Sequence, residues 1–349
     1  MEHRAPASSS WGRCRRPRVL GLLAAALTLL LVAAPLAPAV AQRVPVVAFA
    51  NFTEEPDVTV EGTGFTGREI RESFELAARS HPLEMVYYDN RRDDARALQN
   101  AEAAIARKVS LYIQYHRSAA NTAIAEKLRV AGIPVLAVNY PVPGAPLYTA
   151  DNLAAGRLAG EALAQLATRS WRGQPTAAAV IGNLSATADR VPERARGVTE
   201  ALTQRLPGVR VTAIDTGGNP AQVAPLLGKF LAAHATGKLL LAATDDTTAL
   251  AVKASVEGAG RVRDAAIVSH GVDRTMHGGM NDRKELDPTN RGSIVIGSVA
   301  FYLDRYGYDV LPLAMRMLRG EALPPRVTTR HVLVTAANVF IEYPPSDMN

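Results

Sequence analysis

Polar and aromatic side chains follow most of the predicted strands of this 349-residue chain. Amide, carboxylate and imidazole groups exchange hydrogen bonds with the hydroxyls of a small ligand, and an aromatic ring covers the apolar face of a sugar ring. Because open α/β sheets bind ligands beyond the carboxyl ends of their strands, these side chains are candidates to contact a small ligand. The candidates at these positions are Asn51, Phe52, Asp89, Gln114, Tyr115, Asn139, Tyr140, Asp245 and His270.

The same residue types do not assemble a catalytic centre. No histidine pair has the helical spacing of a zinc site, and Gly182–Ala186 lacks the second glycine of a nucleophile elbow. Gly62-x-Gly64-x-x-Gly67 matches a dinucleotide-binding pattern but lies too far beyond the first strand, so we interpret it as a flexible loop. We predict no catalytic residue, no metal site and no cofactor.

The first 41 residues have the pattern of a cleavable signal peptide. A basic stretch ends at Arg18, an apolar run of about 16 residues follows, and Ala39-Val40-Ala41 precedes Gln42. A spanning helix needs roughly 20 apolar residues, which disfavours an uncleaved anchor. We therefore expect export, with cleavage near Gln42.

Charge and cysteine content exclude several function classes. Of 39 basic and 33 acidic residues, the leader holds five arginines and one acid, which leaves 34 against 32 in the mature chain. Such a balance gives no basic face for nucleic acid. The single cysteine, Cys14, lies in the leader, so the mature chain has no disulfide, thiol nucleophile or cysteine metal site.

Short apolar runs alternate with helical patterns from Arg43 onward, which indicates βα units and parallel sheets covered on both faces. Nine strands are more than a typical single sheet contains, and two sheets of four to six strands fit the chain length better. The predicted strands are Pro45–Ala50, Met85–Tyr88, Ser110–Gln114, Pro134–Asn139, Ala177–Gly182, Val209–Ile214, Lys238–Ala243, Ala265–Ser269 and Ser293–Gly297.

Five segments, in order along nearly the whole mature chain, carry a family resemblance. They are Gly132–Asn139, Ala150–Gly156, Glu193–Val198, Ala243–Leu250, and Gly297–Ala300 followed by Arg305-Tyr306-Gly307. Together they resemble the periplasmic sugar-binding proteins of the ribose-binding type, the substrate-binding components of ABC transporters. Each segment alone is weakly specific, whereas their order and spacing together are specific.

The resemblance implies an α/β chain with the type I periplasmic binding protein fold: two doubly wound parallel-sheet lobes joined by a three-crossover hinge. It assigns residues 43–149 plus 300–325 to the N-terminal lobe, and residues 150–299 plus 326–349 to the C-terminal lobe. The ligand would lie between the lobes. Physics favours the same place, because open α/β sheets bind ligands beyond the carboxyl ends of their strands.

The resemblance also adds Arg194 and Phe301 to the candidate site residues and supports the choice of Asp245. Arg194 matches the family's arginine, and the alternative is a surface arginine on its helix. Phe301 stands at the last crossing, where the family often has glutamine. Asp245 stands where the family places an Asn or Asp ligand group, although either Asp245 or Asp246 must cap the next helix, and Asp246 is the better cap by position.

Departures from the family pattern leave the ligand class open. The family often has an aromatic residue and an aspartate where His270-Gly271 stands, and the loss of polar groups at His270 and Phe301 favours a less polar ligand than a plain monosaccharide. Glu54 or Glu55 after the first strand either reaches the cleft and selects a cationic group or forms a solvated acidic loop.

The combined interpretation is a non-enzymatic, monomeric periplasmic solute-binding protein of an ABC importer. It takes a small sugar or sugar-like ligand, has a membrane ABC permease as its partner, and does not bind nucleic acid. Two alternatives remain open: a periplasmic receptor that feeds a sensor kinase or chemoreceptor, and a binding protein repurposed for a less polar ligand.

Overall fold

The computed structural model describes residues 43–172, 174, 176–187, 190–278, 285–290 and 292–344. The expected signal peptide, residues 1–41, lies outside these described residues. Contacts group the chain from Val44 onward into one compact unit. Within the described ranges, no helix is long and apolar enough to cross a membrane.

Twelve strands of the described residues form two sheets of six. In chain order they are β1 Val46–Asn51, β2 Glu84–Asp89, β3 Leu111–Gln114, β4 Val135–Val138, β5 Leu147–Thr149, β6 Thr176–Gly182, β7 Val211–Asp215, β8 Lys238–Ala243, β9 Ala265–Gly271, β10 Val295–Ala300, β11 Arg326–Thr328 and β12 Leu333–Val334. The first sheet has the order β11-β5-β4-β3-β1-β2, and the second has the order β12-β10-β9-β8-β6-β7. All pairings are parallel except β10 with β12.

Helices cover both faces of the two sheets. In chain order they are α1 Gly67–Ala78, α2 Asp94–Ala106, α3 Ala120–Val130, α4 Asn152–Ser170, α5 Val191–Arg205, α6 Val223–Ala233, α7 Asp246–Gly258, α8 Arg274–His277, α9 Tyr306–Leu318 and α10 Val339–Glu342. The central strands are buried on both sides, which is why they are apolar throughout and do not alternate. The nine predicted strands and the two-sheet α/β class are confirmed.

Helix α1 shows how local sequence and packing combine in the first lobe. Thr66 and Glu69 form a capping box, in which the Thr66 side chain accepts from the Glu69 amide and the Glu69 carboxylate accepts from the Thr66 amide. The buried face of the helix packs Phe74 on Phe49 of β1, with ring centroids 4.1 Å apart. Burial of each such ring contributes about 2–3 kcal/mol, so Phe74→Ala would open a cavity in this core.

The chain crosses between the two sheets three times, and the third crossing lies later in the sequence than expected. The chain passes from β5 to α4, from β10 to α9, and from β11 to β12. The expected start of the last C-terminal-lobe segment at Arg326 is corrected, because Arg326–Thr328 pairs with β5 in the first sheet. The third crossing therefore falls between Thr328 and Leu333, where β12 joins β10 of the second sheet.

His331 connects the three crossings. Its Nε2 accepts from the Asp151 amide at 3.0 Å, and its Nδ1 donates to the Ala300 carbonyl at 2.9 Å. Burial lowers the pKa of this imidazole below its ordinary value, which keeps the ring neutral with one donor and one acceptor. One side chain thus binds the backbone of the first two crossings from within the third.

Helices α4 and α5 approach closely enough to require glycine. A Cβ on Gly156 would lie 1.9 Å from the Arg194 carbonyl oxygen, and one on Gly197 would lie 2.2 Å from the Leu153 carbonyl oxygen. Helix α5 can therefore lie against α4 only with glycine at these positions. This contact places Arg194 of α5 beside Asn152 of α4.

Candidate functional site

Buried aromatic side chains cluster at the carboxyl ends of β1, β3 and β4, and we call this cluster the first-lobe wall. Tyr115 and Tyr140 stack nearly parallel with ring centroids 6.1 Å apart, and Phe52 lies 5.8 Å from Tyr115. The Arg117 guanidinium lies over both Phe52 and Tyr140, at 5.3 and 5.9 Å from their centroids. The wall combines apolar faces with a cation, a surface suited to a ring with both C–H and oxygen groups.

The second-lobe wall is built around Arg194, which is 0% exposed. The alternative of a surface arginine is therefore wrong, because the close α4–α5 packing buries the side chain. Its Nε and Nη2 both donate to Asn152 Oδ1, at 3.1 and 2.8 Å, and its Nη1 donates to the Thr244 carbonyl. The guanidinium also lies 4.3 Å over the Phe301 ring. These contacts hold a planar donor fork at the boundary between the lobes.

A hairpin between β1 and α1 joins the two walls; we call residues 58–66 the cleft hairpin. Val60 donates to the Phe65 carbonyl at 2.8 Å, and Thr63 donates to the Val60 carbonyl at 3.1 Å. Glu61 and Gly62 form the tip, and both have a φ of 57°, as a type I′ turn requires. The Glu61 carboxylate accepts from the Tyr115 hydroxyl at 2.7 Å, which ties the tip to the first lobe.

The backbone of the same tip reaches the second lobe. Arg194 Nη1 donates to the Gly62 carbonyl at 2.9 Å, and Arg194 Nη2 donates to the Glu61 carbonyl at 3.1 Å. Residues from the two lobes are therefore brought together through the tip. Sequence reasoning missed Glu61; the signal that could have found the turn is Gly62, because glycine readily adopts the positive φ that a tight turn between Val60 and the buried Phe65 requires.

The three glycines of the Gly62-x-Gly64-x-x-Gly67 pattern, which the sequence indicated as a flexible loop, are packed against neighbouring residues. A Cβ on Gly62 would lie 2.7 Å from Val191, one on Gly64 would lie 1.6 Å from the Asp273 carboxylate, and one on Gly67 would lie 1.7 Å from the Thr53 carbonyl. Each glycine permits a close approach that a side chain would prevent.

The order of the two adjacent acids at α7 is the reverse of the prediction. Asp245 is the cap, because its extended backbone turns the carboxylate onto the Thr248 amide at 2.7 Å. Asp246 points inward instead, where it accepts from Ser298 at 2.7 Å and from the Asp273 amide at 2.8 Å. Burial raises the pKa of Asp246 well above its ordinary range.

Asn51 and Asn139 each use one end of the amide for structure. Asn51 Nδ2 donates to the Gly67 carbonyl at 2.7 Å, and Asn139 Oδ1 accepts from the Tyr306 hydroxyl at 3.2 Å. The other ends, Asn51 Oδ1 and Asn139 Nδ2, are buried and have no hydrogen-bond partner among the described residues. Orphaned buried polar atoms at strand ends are typical of a binding site.

Gln114 and Asp89 shape loops of the first lobe. Gln114 donates to Asn121 Oδ1 at 3.0 Å, and its own Oε1 is a further buried atom without a partner within the described ranges. Asp89 accepts from the amides of Glu54 at 3.2 Å and Arg91 at 2.9 Å. The Asp89 carbonyl accepts from Asn100 of α2 at 3.0 Å, so the hydrogen bonds of Asp89 among the described residues stay within the first lobe.

His270 and Phe301 pack beside Arg194, and both are fully buried. His270 Nδ1 donates to the Ala243 carbonyl at 2.8 Å, and burial, aided by the nearby Arg194 charge, lowers the pKa of His270 to about 3. The ring is therefore neutral at ordinary pH. Phe301 lies between Arg194 and His331, whose ring centroid is 4.8 Å away.

The acidic residues after β1 form ion pairs on the first lobe. Glu54 pairs with Arg71 at 2.8 Å, and Glu55 pairs with Arg92. The solvated interpretation therefore describes Glu55, whose side chain is 42% exposed. In the part of the chain that the structure describes, no group of three acidic, histidine or cysteine side chains could hold a metal ion.

The sequence profile of the periplasmic binding protein domain matches residues 58–322, which is most of the chain. The chain belongs to the periplasmic binding protein family. This family consists of binding proteins, so the expectation of a non-enzymatic protein is confirmed by membership, as is the type I fold class. The sequence has no significant match among curated proteins.

Solved structures share the fold at low sequence identity. A sugar ABC transporter sugar-binding protein from Bacillus halodurans is 20% identical with a TM-score of 0.66, covering 85% of this chain and 100% of its own. An arabinose binding protein from Geobacillus stearothermophilus is 20% identical with a TM-score of 0.66, covering 86% and 99%. An ABC transporter solute binding protein from Actinobacillus succinogenes with bound D-allose is 15% identical with a TM-score of 0.64, covering 84% and 99%.

Proposed function

We propose that the protein is the solute-binding component of an ABC importer and takes a small sugar, polyol or sugar-like ligand between its lobes. The observation that carries this proposal is the arrangement at the carboxyl ends of the two sheets. There the tip of the cleft hairpin links the buried Arg194 fork to Tyr115 of the aromatic wall, and Asn51 and Asn139 each have a buried amide atom without a partner among the described residues. Similar folds in the compared structures belong to transporter proteins for sugars and polyols.

The composition of the walls narrows the ligand class. Arg194 donates, the Asn51 amide oxygen accepts, and Tyr115 and Tyr140 supply ring faces, a combination that fits a hydroxylated ring. Phe301 and the neutral His270 make the second-lobe side less polar. A ring that carries a deoxy, methyl or other apolar substituent fits these walls better than a fully hydroxylated one.

Location and partners belong to the same proposal. Family membership favours an extracytoplasmic location, and the leader pattern of residues 1–41 supports export to the periplasm by a cleaved signal peptide. We infer a monomer that docks on a membrane ABC permease with the outer surfaces of its lobes. A reconstituted permease whose ATP hydrolysis rises with the liganded protein would support import, whereas binding without stimulation would favour a sensor role.

Calorimetry with matched variants tests the binding site. The panel is D-fucose, a deoxy sugar, together with D-glucose, D-galactose, arabinose, D-allose and myo-inositol. Tyr140→Leu keeps an apolar side chain but loses the ring face, so the dissociation constant should rise about three- to tenfold. Tyr308→Leu is the control, because Tyr308 is 51% exposed on α9. Equal affinities of the two variants would remove Tyr140 from the site, and no binding to wild type across the panel would contradict the sugar or polyol class.

A further inference from the structure

The cleft hairpin occupies the donor fork that a ligand between the lobes would use. Arginine has five N–H donors, and all five are engaged. Three of the bonds stay within the second lobe, with two to Asn152 and one to the Thr244 carbonyl. The other two go to the Glu61 and Gly62 carbonyls of the hairpin tip. A ligand reaches Arg194 only by taking the place of these two carbonyl oxygens.

The tip of the cleft hairpin is packed against residues of both lobes. Glu61 accepts from Tyr115 of the first lobe, while Gly62 lies against Val191 and Gly64 against Asp273, both from the second lobe. Glu61 is 8% exposed and Thr63 is 4% exposed, so the tip is enclosed by both lobes. The hairpin therefore links the lobes with the same kind of bonds that a bound ligand would make.

We propose that the cleft hairpin is a tethered occupant of the ligand site, and that ligand binding requires its tip to leave Arg194. This inference rests on the proposed function. The two adjacent carbonyl oxygens stand in for two neighbouring oxygens of the ligand, held end-on by the arginine fork. The apparent affinity is then reduced by the fraction of molecules in which the tip is seated.

Gly62→Val unseats the tip selectively. Gly62 has a φ of +57°, where a side chain is strained, and its Cβ would meet Val191 at 2.7 Å. Gly144→Val is the matched control, because Gly144 has a φ of +77° and an added Cβ would meet nothing within 4 Å. With the sugar of the panel that binds most tightly, calorimetry should show that Gly62→Val binds about tenfold more tightly than wild type and that Gly144→Val is unchanged.

Hydrogen–deuterium exchange of the wild type provides a readout that does not depend on a variant. Saturation with the same sugar should speed exchange of the Val60 and Thr63 amides, which donate within the seated hairpin. Slowed or unchanged exchange there, or equal or weaker binding by Gly62→Val, would overturn the competition while leaving the proposed function intact. Absence of binding by both proteins across the panel would contradict the proposed function and the competition with it.

Discussion

Tyr112 and Tyr115 are both fully buried around the carboxyl end of β3, yet their hydroxyls differ in bonding. The Tyr115 hydroxyl donates to the Glu61 carboxylate, whereas the Tyr112 hydroxyl has no hydrogen-bond partner in the described part of the chain. A buried hydroxyl contributes to stability only when it is paired. The pair therefore separates the contribution of the hairpin contact from that of ring burial.

We expect Tyr115→Phe to lower the free energy of unfolding by about 1–3 kcal/mol, because the buried Glu61 carboxylate loses a donor. Tyr112→Phe removes only an unpaired hydroxyl and should change stability by less than about 0.5 kcal/mol or raise it slightly. Urea denaturation of both variants measures the difference. Equal losses would mean that the Tyr115–Glu61 bond does not stabilise the hairpin.

His270 gives the fold a defined response to acid. Its pKa is about 3 in the folded chain, against about 6.5 in the unfolded chain. Between these values the unfolded state binds a proton that the folded state does not, so stability falls as the pH falls through 6.5 towards 3. The cause is burial of the ring beside the Arg194 charge.

We expect His270→Gln to lose this response while its amide can still donate to the Ala243 carbonyl. From pH 7.5 to pH 5, the wild type should lose about 2 kcal/mol more unfolding free energy than the variant. Chemical denaturation at a series of pH values gives the two curves. Parallel curves would show that His270 does not titrate differently in the two states.

Helices α4 and α5 show the same dependence on fit at the scale of elements. Only glycine fits at Gly156 and Gly197. A Cβ at either position would lie about 2 Å from a backbone carbonyl oxygen of the other helix. The position of α5 in turn decides where Arg194 presents its fork. The geometry of the site thus depends on a close contact between the backbones of the two helices.

We expect Gly197→Ala to cost about 1–3 kcal/mol of stability by overpacking, and to weaken ligand binding because α5 shifts. Gly228→Ala in α6 is the matched control. An added Cβ there meets nothing within 4 Å, so the better helix propensity of alanine should raise stability by about 0.5–1 kcal/mol. Thermal unfolding distinguishes the two, and a neutral Gly197→Ala would contradict the close α4–α5 contact.

Continuous apolar runs predicted the main strands. Helices bury both faces of these sheets, so the strands are apolar along their whole length. The strands β5, β11 and β12 were not predicted. They have two or three residues each, too few for a pattern, and they exist because a neighbouring strand offers an open edge. The lobe boundary near Arg326 moved for the same reason.

The candidate site was predictable only in part. Strand-end residues such as Asn139 and Tyr140 lie in the first-lobe wall, because parallel strands end at one edge. The roles of Asp245 and Asp246 depended on a backbone turn that adjacent identical residues do not reveal. Glu61 was missed because its burial depends on Tyr115 and on Arg194, which lies 133 positions away.

At the scale of the whole molecule, two sheets, three crossings and one enclosed hairpin are joined by polar contacts and by an apolar cluster with residues from both sheets. His331 couples the crossings, and the Arg194 fork with the hairpin tip couples the lobe faces. We expect opening of the cleft to break the bonds from Arg194 to the hairpin tip. Ligand binding shifts the lobes only if the ligand binds one of the two states more tightly than the other.

Native mass spectrometry of the purified protein incubated with the sugar and polyol panel tests the central claim most directly. We expect one ligand per chain, released on denaturation with its mass unchanged, together with a rise in melting temperature that grows with ligand concentration. A ligand released with an altered mass would reveal turnover. That result, or the failure of every sugar and polyol to bind, would contradict the assignment as a sugar-class solute-binding protein.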